Sequence, residues 1–334
     1  NGVLSMRTNF ELCSESATLL QDHTNSLWYC LRVNNCKSFH IEGKLVLKST
    51  VPLSTPVYTV NPGAVNWTQP TLDGVLIPSE SFINDTNTGY GNGFYTSNCT
   101  DSTFNNIHIL GPFLTGIYLD TIPSFDGLEN RSLSNSIVER CVTGIHVVGQ
   151  YYTINMALVD MCRVGIKVSG GNNSVISSSI NRNRIGIWVN GTVEVNSDHG
   201  KIIGCTLNHN ESCGILLTNI ASGFHKSGCE IWATNGDNRK HGFLPFTLEG
   251  EITGTTGVSP QKLTYFGIYM ENVINMNIVS NTIAHNYVNL GVNGHVSSCI
   301  TGNTFKAGTT YNHIIEYGSL GTLGRNTQNS MCCN

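Results

Sequence analysis

The chain has 334 residues, a formal net charge of −4 and only 12% charged residues, about half the usual share for a globular domain. That balance gives no basic surface able to track a phosphate backbone, and no apolar run reaches membrane-spanning length. It sets aside nucleic-acid binding and membrane insertion, and leaves one large all-β domain or two small ones.

Gly (35) and Asn (39) are abundant, long helix formers are scarce, and no stretch patterns as a multi-turn amphipathic helix. Gly and Asn suit tight corners because they tolerate left-handed backbone. The chain starts at Asn1 without a signal-peptide pattern, which reads as a fragment or a processed product. Twelve cysteines include no CxxC pair, so a zinc ribbon or a thioredoxin-type site is not expected.

Residues 1–30 read as an N-terminal lead-in. Residues 31–100 read as irregular early coils, with Phe39-His40-Ile41-Glu42-Gly43 in the first or second and five prolines between 51 and 80. From about 101 the chain repeats. Gly116-Ile117-Tyr118-Leu119, Gly144-Ile145-His146-Val147, Gly165-Ile166-Lys167-Val168, Gly186-Ile187-Trp188-Val189, Gly214-Ile215-Leu216-Leu217, Gly267-Ile268-Tyr269-Met270 and the weaker Gly291-Val292 share one shape. Their glycines lie 28, 21, 21, 28, 53 and 24 residues apart. One alternating strand per unit of this size is a coil of a solenoid, which buries its apolar side only by stacking on its neighbours. Regular coils fill 101–223, a polar insertion falls at about 233–262, final coils run over 264–320, and 326–334 is a tail. A shorter insertion at 190–200 carries Glu194, Asp198 and His199.

Aligned on their glycines, the coils share aliphatic-x-x-(Asn/Cys)-x-x-Gly-Ile-x-aliphatic. Cys141, Cys162, Asn183 and, one residue out of step, Asn210 take the Asn/Cys place. Stacked Asn amides at such a corner would bond from coil to coil, and the cysteines read as small buried thiols. The copies SSSINRNRIGIWV (177–189) and GCTLNHNESCGILL (204–217) resemble the right-handed parallel β-helix of the pectate-lyase-like superfold. The resemblance covers about 100–320 and implies a single right-handed parallel β-helix with corner insertions. The superfold holds pectinases, lyases, epimerases, adhesins and phage tailspikes. The motif sets expected of polygalacturonases and of pectate lyases are missing. The low-charge, Asn/Gly/Ser-rich composition most resembles phage tailspike or tail-fibre depolymerases, whose catalytic residues cannot be carried across motif by motif. That likeness implies an extracellular or virion-surface protein, a homotrimer, contact with other virion proteins and a polysaccharide ligand.

In the strand after each glycine the Ile points inward and the next residue outward. Tyr118, His146, Lys167, Trp188 and Tyr269 therefore form an expected outward column, where rings would pack on sugar C–H faces. An exposed column that only packs against a neighbour is the plainer alternative. Glu139 and Asp160 hold the same register in adjacent coils, about 4.8 Å apart, which fits a retaining carboxylate pair; an Arg-neutralised corner ladder is the other reading. Asp120, two positions after Tyr118, joins them as a candidate acid and could make an inverting pair with Glu139. Asp126, Glu129, Glu194, Asp198, Glu211 and His209 are secondary candidates. No metal cage and no cofactor is expected. The chain thus reads as a tailspike or receptor-binding protein that binds and depolymerises a polysaccharide by paired carboxylates. A non-catalytic structural or adhesive β-helix is the first alternative. A secreted uronan lyase or epimerase is the second, with Tyr118 and His146 or Lys167 moving the proton and stabilising charge.

Overall fold

A computed structural model describes residues 3–5, 10–21, 29–49, 71–72, 75–76, 91–120, 131–183, 185–191, 199–208, 210, 213–218, 230–232, 235–237, 264–271, 273, 276–284, 286–293, 299–306, 311–317 and 330–332. Its described elements are strands, and nearly all pair in parallel with the strand one coil away. One sheet has 11 strands, each the long strand of its coil. Another has 19 and consists of two ladders of short strands. Phe39–Ser49 crosses both: His40 and Ile41 pair with Thr103 and Phe104, and Leu45 and Val46 pair with Ile107 and His108. Each coil thus runs short strand, short strand, long strand around a three-sided right-handed prism. The ladders already include Val3–Ser5 and Phe10–Gln21, within the stretch read as a lead-in, and Ser330–Cys332, within the stretch read as a tail. The 233–262 insertion lies outside the described residues, apart from Asn235–Asp237 in a short-strand ladder.

The repeated glycines are small because the next coil is close, not because the chain turns there. A Cβ on Gly116 would lie 2.6 Å from the Gly144 carbonyl oxygen; one on Gly144, Gly165 or Gly186 would lie 2.5 Å from the oxygen of the following glycine. The column begins one coil earlier than expected, at Gly93, whose Cβ would meet the Gly116 oxygen at 2.6 Å. It ends earlier too. Gly291 pairs with Tyr269, so it occupies the outward position, and Asn289 takes the place beside Gly267. Just past each glycine, Ile117, Ile145, Ile166, Ile187, Ile215 and Ile268 stack in the core.

Corners are made by single residues in the left-handed region. Between the two short strands these are Asn106, Asn135, Met156, Ser177, Gly204, Ser280 and Gly302; before the long strand they are Arg140, Met161 and Arg182. Asn is suited to this conformation and Met is not. Inside the corner before the long strand, Asn183 Oδ1 accepts from the Cys162 N–H (2.8 Å), and its Nδ2 donates to the Val159 carbonyl (3.2 Å). Asn210 repeats this toward Asn183 N–H (3.1 Å) and the Ile180 carbonyl (3.0 Å). Cys141 and Cys162 continue the same column as buried free thiols, as expected.

The two kinds of glycine separate by substitution. Gly165→Ala drives a Cβ into backbone and is expected to cost at least about 2–3 kcal/mol in denaturant unfolding. Gly204→Ala has open space (Ser177 Oγ at 3.9 Å) but φ of +61°, and is expected to cost about 1 kcal/mol. Met156 is 57% exposed at φ 53°, so Met156→Asn is expected to stabilise by about 0.5–1 kcal/mol.

Candidate functional site

The outward column of the long-strand sheet extends two coils further back than the expected set and includes two residues the sequence reading missed. Arg32 pairs with Tyr95, Tyr95 with Tyr118, Tyr118 with His146, His146 with Lys167, and Lys167 with Trp188. Successive positions are about 4.8 Å apart, so Arg32 to Lys167 spans about 19 Å. The side chains touch along this line. The Arg32 guanidinium lies over the Tyr29 ring (5.0 Å) and the Tyr95 ring (5.4 Å). Tyr29 and Tyr95 rings are 4.6 Å apart. Tyr95 and Tyr118 stack at 4.9 Å with planes 7° apart, and Tyr118 meets the His146 ring edge-on at 5.1 Å. Tyr95, Tyr118, His146 and Lys167 are half-buried, presenting one edge or face. The missed signal was Asn92-Gly93-Phe94-Tyr95, a copy of the repeat with Phe in the Ile place.

Beyond Lys167 the expectation of exposure fails. Trp188 is 1% exposed: its ring lies under the Lys167 ammonium (4.1 Å), and its Nε1–H donates to Thr218 Oγ1 (2.9 Å), which donates to Asn190 Oδ1 (2.8 Å). Leu216 is buried as well, and Tyr269 is fully buried with its ring against Phe266 at 4.7 Å. Neither Trp188 nor Tyr269 is an open sugar platform.

The three candidate acids do not form one site. Glu139 and Asp160 are in register, as read from the sequence, but on a short-strand ladder. Asp160 is 3% exposed, and Arg182 donates to both of its oxygens, from Nε to Oδ1 at 2.8 Å and from Nη2 to Oδ2. A carboxylate so engaged is a corner ion pair, the Arg-neutralised alternative. Asp120 ends the long strand Thr115–Asp120, whereas Glu139 precedes the corner leading into the next long strand. Five strand steps, about 16 Å, separate those ends, too far for the 6.5–9.5 Å of an inverting pair. Asp126, Glu129, Glu194, Asp198, His209 and Glu211 lie outside the described residues. Among the described residues, no group of acids, histidines and cysteines could cage a metal ion.

Asp120 does belong with the rings. Burial raises its carboxyl above the ordinary value, so its neutral form is favoured. Burial, with the charge of Asp120 added, pushes Tyr118 up to about 12, and Tyr95 is raised by the same two causes. Burial, helped by Lys167, brings His146 down to about 3; its Nε2 sits 3.3 Å from Ser169 Oγ. The face thus offers phenol and imidazole groups beside the Asp120 carboxyl, Arg32 and Lys167.

The sequence matches no protein-family model and no curated protein. Among solved structures, a mutant tailspike protein of E. coli bacteriophage HK620 in complex with a pentasaccharide is similar at TM-score 0.53 and 10% identity, over 97% of this chain and 60% of that one. A second mutant of that tailspike, also with pentasaccharide, gives 0.52 and 9%, over 96% and 57%. The periplasmic alginate epimerase AlgG follows at 0.48 and 10%, over 90% and 71%, a likeness too distant to carry weight. This chain therefore spans about three-fifths of the tailspike's length. With the parallel ladders, these likenesses define the class: a right-handed parallel β-helix, in architecture like the tailspikes.

Burial of neutral His146 sets a pH dependence. In the unfolded chain His146 takes up a proton below its ordinary value of 6.5, and in the folded chain only near 3. Stability is therefore expected to fall as pH drops from 6.5 toward 3. Thermal unfolding of His146→Gln across that range should lose part of this slope; an unchanged slope would contradict the assigned burial.

Proposed function

We propose that the protein is a glycan-binding β-helix of the tailspike kind, which holds a host-surface polysaccharide along the long-strand face and cleaves it by hydrolysis. The observation that carries the reading is the unbroken run of ring contacts from Tyr29 through Tyr95 and Tyr118 to His146, with Asp120 beside it. Aromatic faces pack against sugar C–H faces, while phenol hydroxyls and the imidazole meet sugar hydroxyls. Asp120, with its proton held more tightly than usual, is the group suited to protonate a glycosidic oxygen. Tyr118 keeps its proton until about pH 12, which makes it a hydrogen-bond donor and weighs against its serving as a lyase base. On this reading the protein works outside the host cell at the virion surface, as a homotrimer beside other virion proteins. Likeness of architecture to the HK620 tailspike is the support for that placement.

The test is a panel of capsular and O-antigen polysaccharides, scored for binding, for new reducing ends and for ultraviolet absorbance of an unsaturated product. Tyr118→Ala is expected to weaken binding about tenfold, the loss of one good aromatic contact. Asp120→Asn is expected to keep binding and abolish new reducing ends, while Glu139→Gln cleaves normally. Binding without any cleavage by the wild type would make it an adhesin; an unsaturated product would make it a lyase. Full cleavage by Asp120→Asn would remove Asp120 from the chemistry.

A further inference from the structure

Arg32 is held in an unusual way for a cation on a protein of so few charges. Its guanidinium rests on two tyrosine rings, Tyr29 at 5.0 Å and Tyr95 at 5.4 Å. Among the described residues its side-chain hydrogen bond runs from Nε to Asn34 Oδ1 at 3.1 Å. No carboxylate among the described residues is paired with it. The Nε bond and the two rings hold the guanidinium in place, and among the described residues its Nη groups have no hydrogen-bond partner. A planar, oriented fork with free donors is the arrangement that meets a carboxylate through two parallel bonds. Its place matters as much: it heads the same column as Tyr95 and Tyr118, and Lys167 adds a second cation further along. The opposite charge, Asp120, lies two positions beyond the Tyr118 column, beside Ser97.

We infer that the polysaccharide taken by this face is anionic, and that Arg32 reads a carboxylate or an equivalent fixed anion on a sugar next to the one stacked on Tyr95 and Tyr118. The inference rests on the glycan-binding reading of the face and specifies its substrate class. Tyr29 and Tyr95 act here as positioning residues, since the guanidinium rests against both rings.

The test compares three probes by affinity electrophoresis: polygalacturonate for carboxylates, dextran sulfate for sulfate esters, and dextran as the neutral chain. Each meets the full chain, Arg32→Gln and Tyr118→Ala, with thermal midpoints confirming that the variants are folded. The expected result is retardation by a polyanion but not by dextran, weakened at least about tenfold by Arg32→Gln, the loss of a charge-assisted bond pair. Preference for polygalacturonate over dextran sulfate assigns the carboxylate, and the reverse assigns the ester. Equal retardation by dextran, or an unchanged polyanion affinity in Arg32→Gln while Tyr118→Ala binds weakly, overturns the anion and leaves the glycan face standing. No retardation by any probe, or full binding by both variants, overturns the face itself.

Discussion

The structure depends on one close approach. At the head of the long strands from Gly93 to Gly186 the backbone of one coil lies against the carbonyl of the next so tightly that a single methyl group would collide at 2.5–2.6 Å. That contact fixes the register, because a coil displaced by one residue would bring a side chain where only hydrogen fits. Once the register is fixed, every other column follows from it. Ile stacks on Ile inside, the amide of Asn183 meets that of Asn210, and the rings of Tyr95 and Tyr118 stack nearly parallel outside. A solenoid has no other source of long-range order, since each coil touches only its neighbours.

The interior tolerates polar residues because corners supply their partners. Asn183, Asn210, Asn281 and Asn303 are buried, and each amide donates to or accepts from an adjacent coil. Ser136 and Ser178 do the same work between the short strands, accepting from the Ile107 and Ala157 N–H groups. The cysteines add a local bond to this pattern: Cys141 and Cys162 each donate to the carbonyl two residues back in their own coil. Arg131 departs from the rule, being buried with Nη1 on the Gln150 carbonyl and with Nε and Nη2 unpartnered among the described residues.

How much of this could be read in advance depended on whether a feature was local. Gly, Ile and the Asn or Cys three residues before the glycine are set by the repeat itself, so the coil, its inward stack and its corner amides were legible. The equivalence of Glu139 and Asp160 was legible for the same reason. What lay across coils was not. The corner at Arg182 closes on Asp160 through a side chain one coil away, which removed a candidate acid. Gly93 was missed because Phe94 stands in the Ile place, and with it went Tyr95 and the link to Arg32. Gly291 was misplaced because a glycine crowded by side-chain rings, Phe266 at 2.7 Å and Tyr269 at 2.9 Å, looks the same in sequence as one crowded by the next coil's backbone. Trp188 and Tyr269 alternate outward as expected, yet outward in a strand is not the same as open to solvent.

The electrostatics of the long-strand face tie these points together. Burial acts on four groups of the row in one direction, toward the uncharged form. It raises Asp120, Tyr95 and Tyr118 and lowers His146. Arg32 is the exception by chemistry, since a guanidinium keeps its charge and gains from the ring faces beneath it. A face built this way carries Arg32 and Lys167 toward its ends, with hydrogen-bonding rings between them and Asp120 to one side. What it can meet is therefore set by where its few charges stand along the column rather than by the sum over the chain, which is −4.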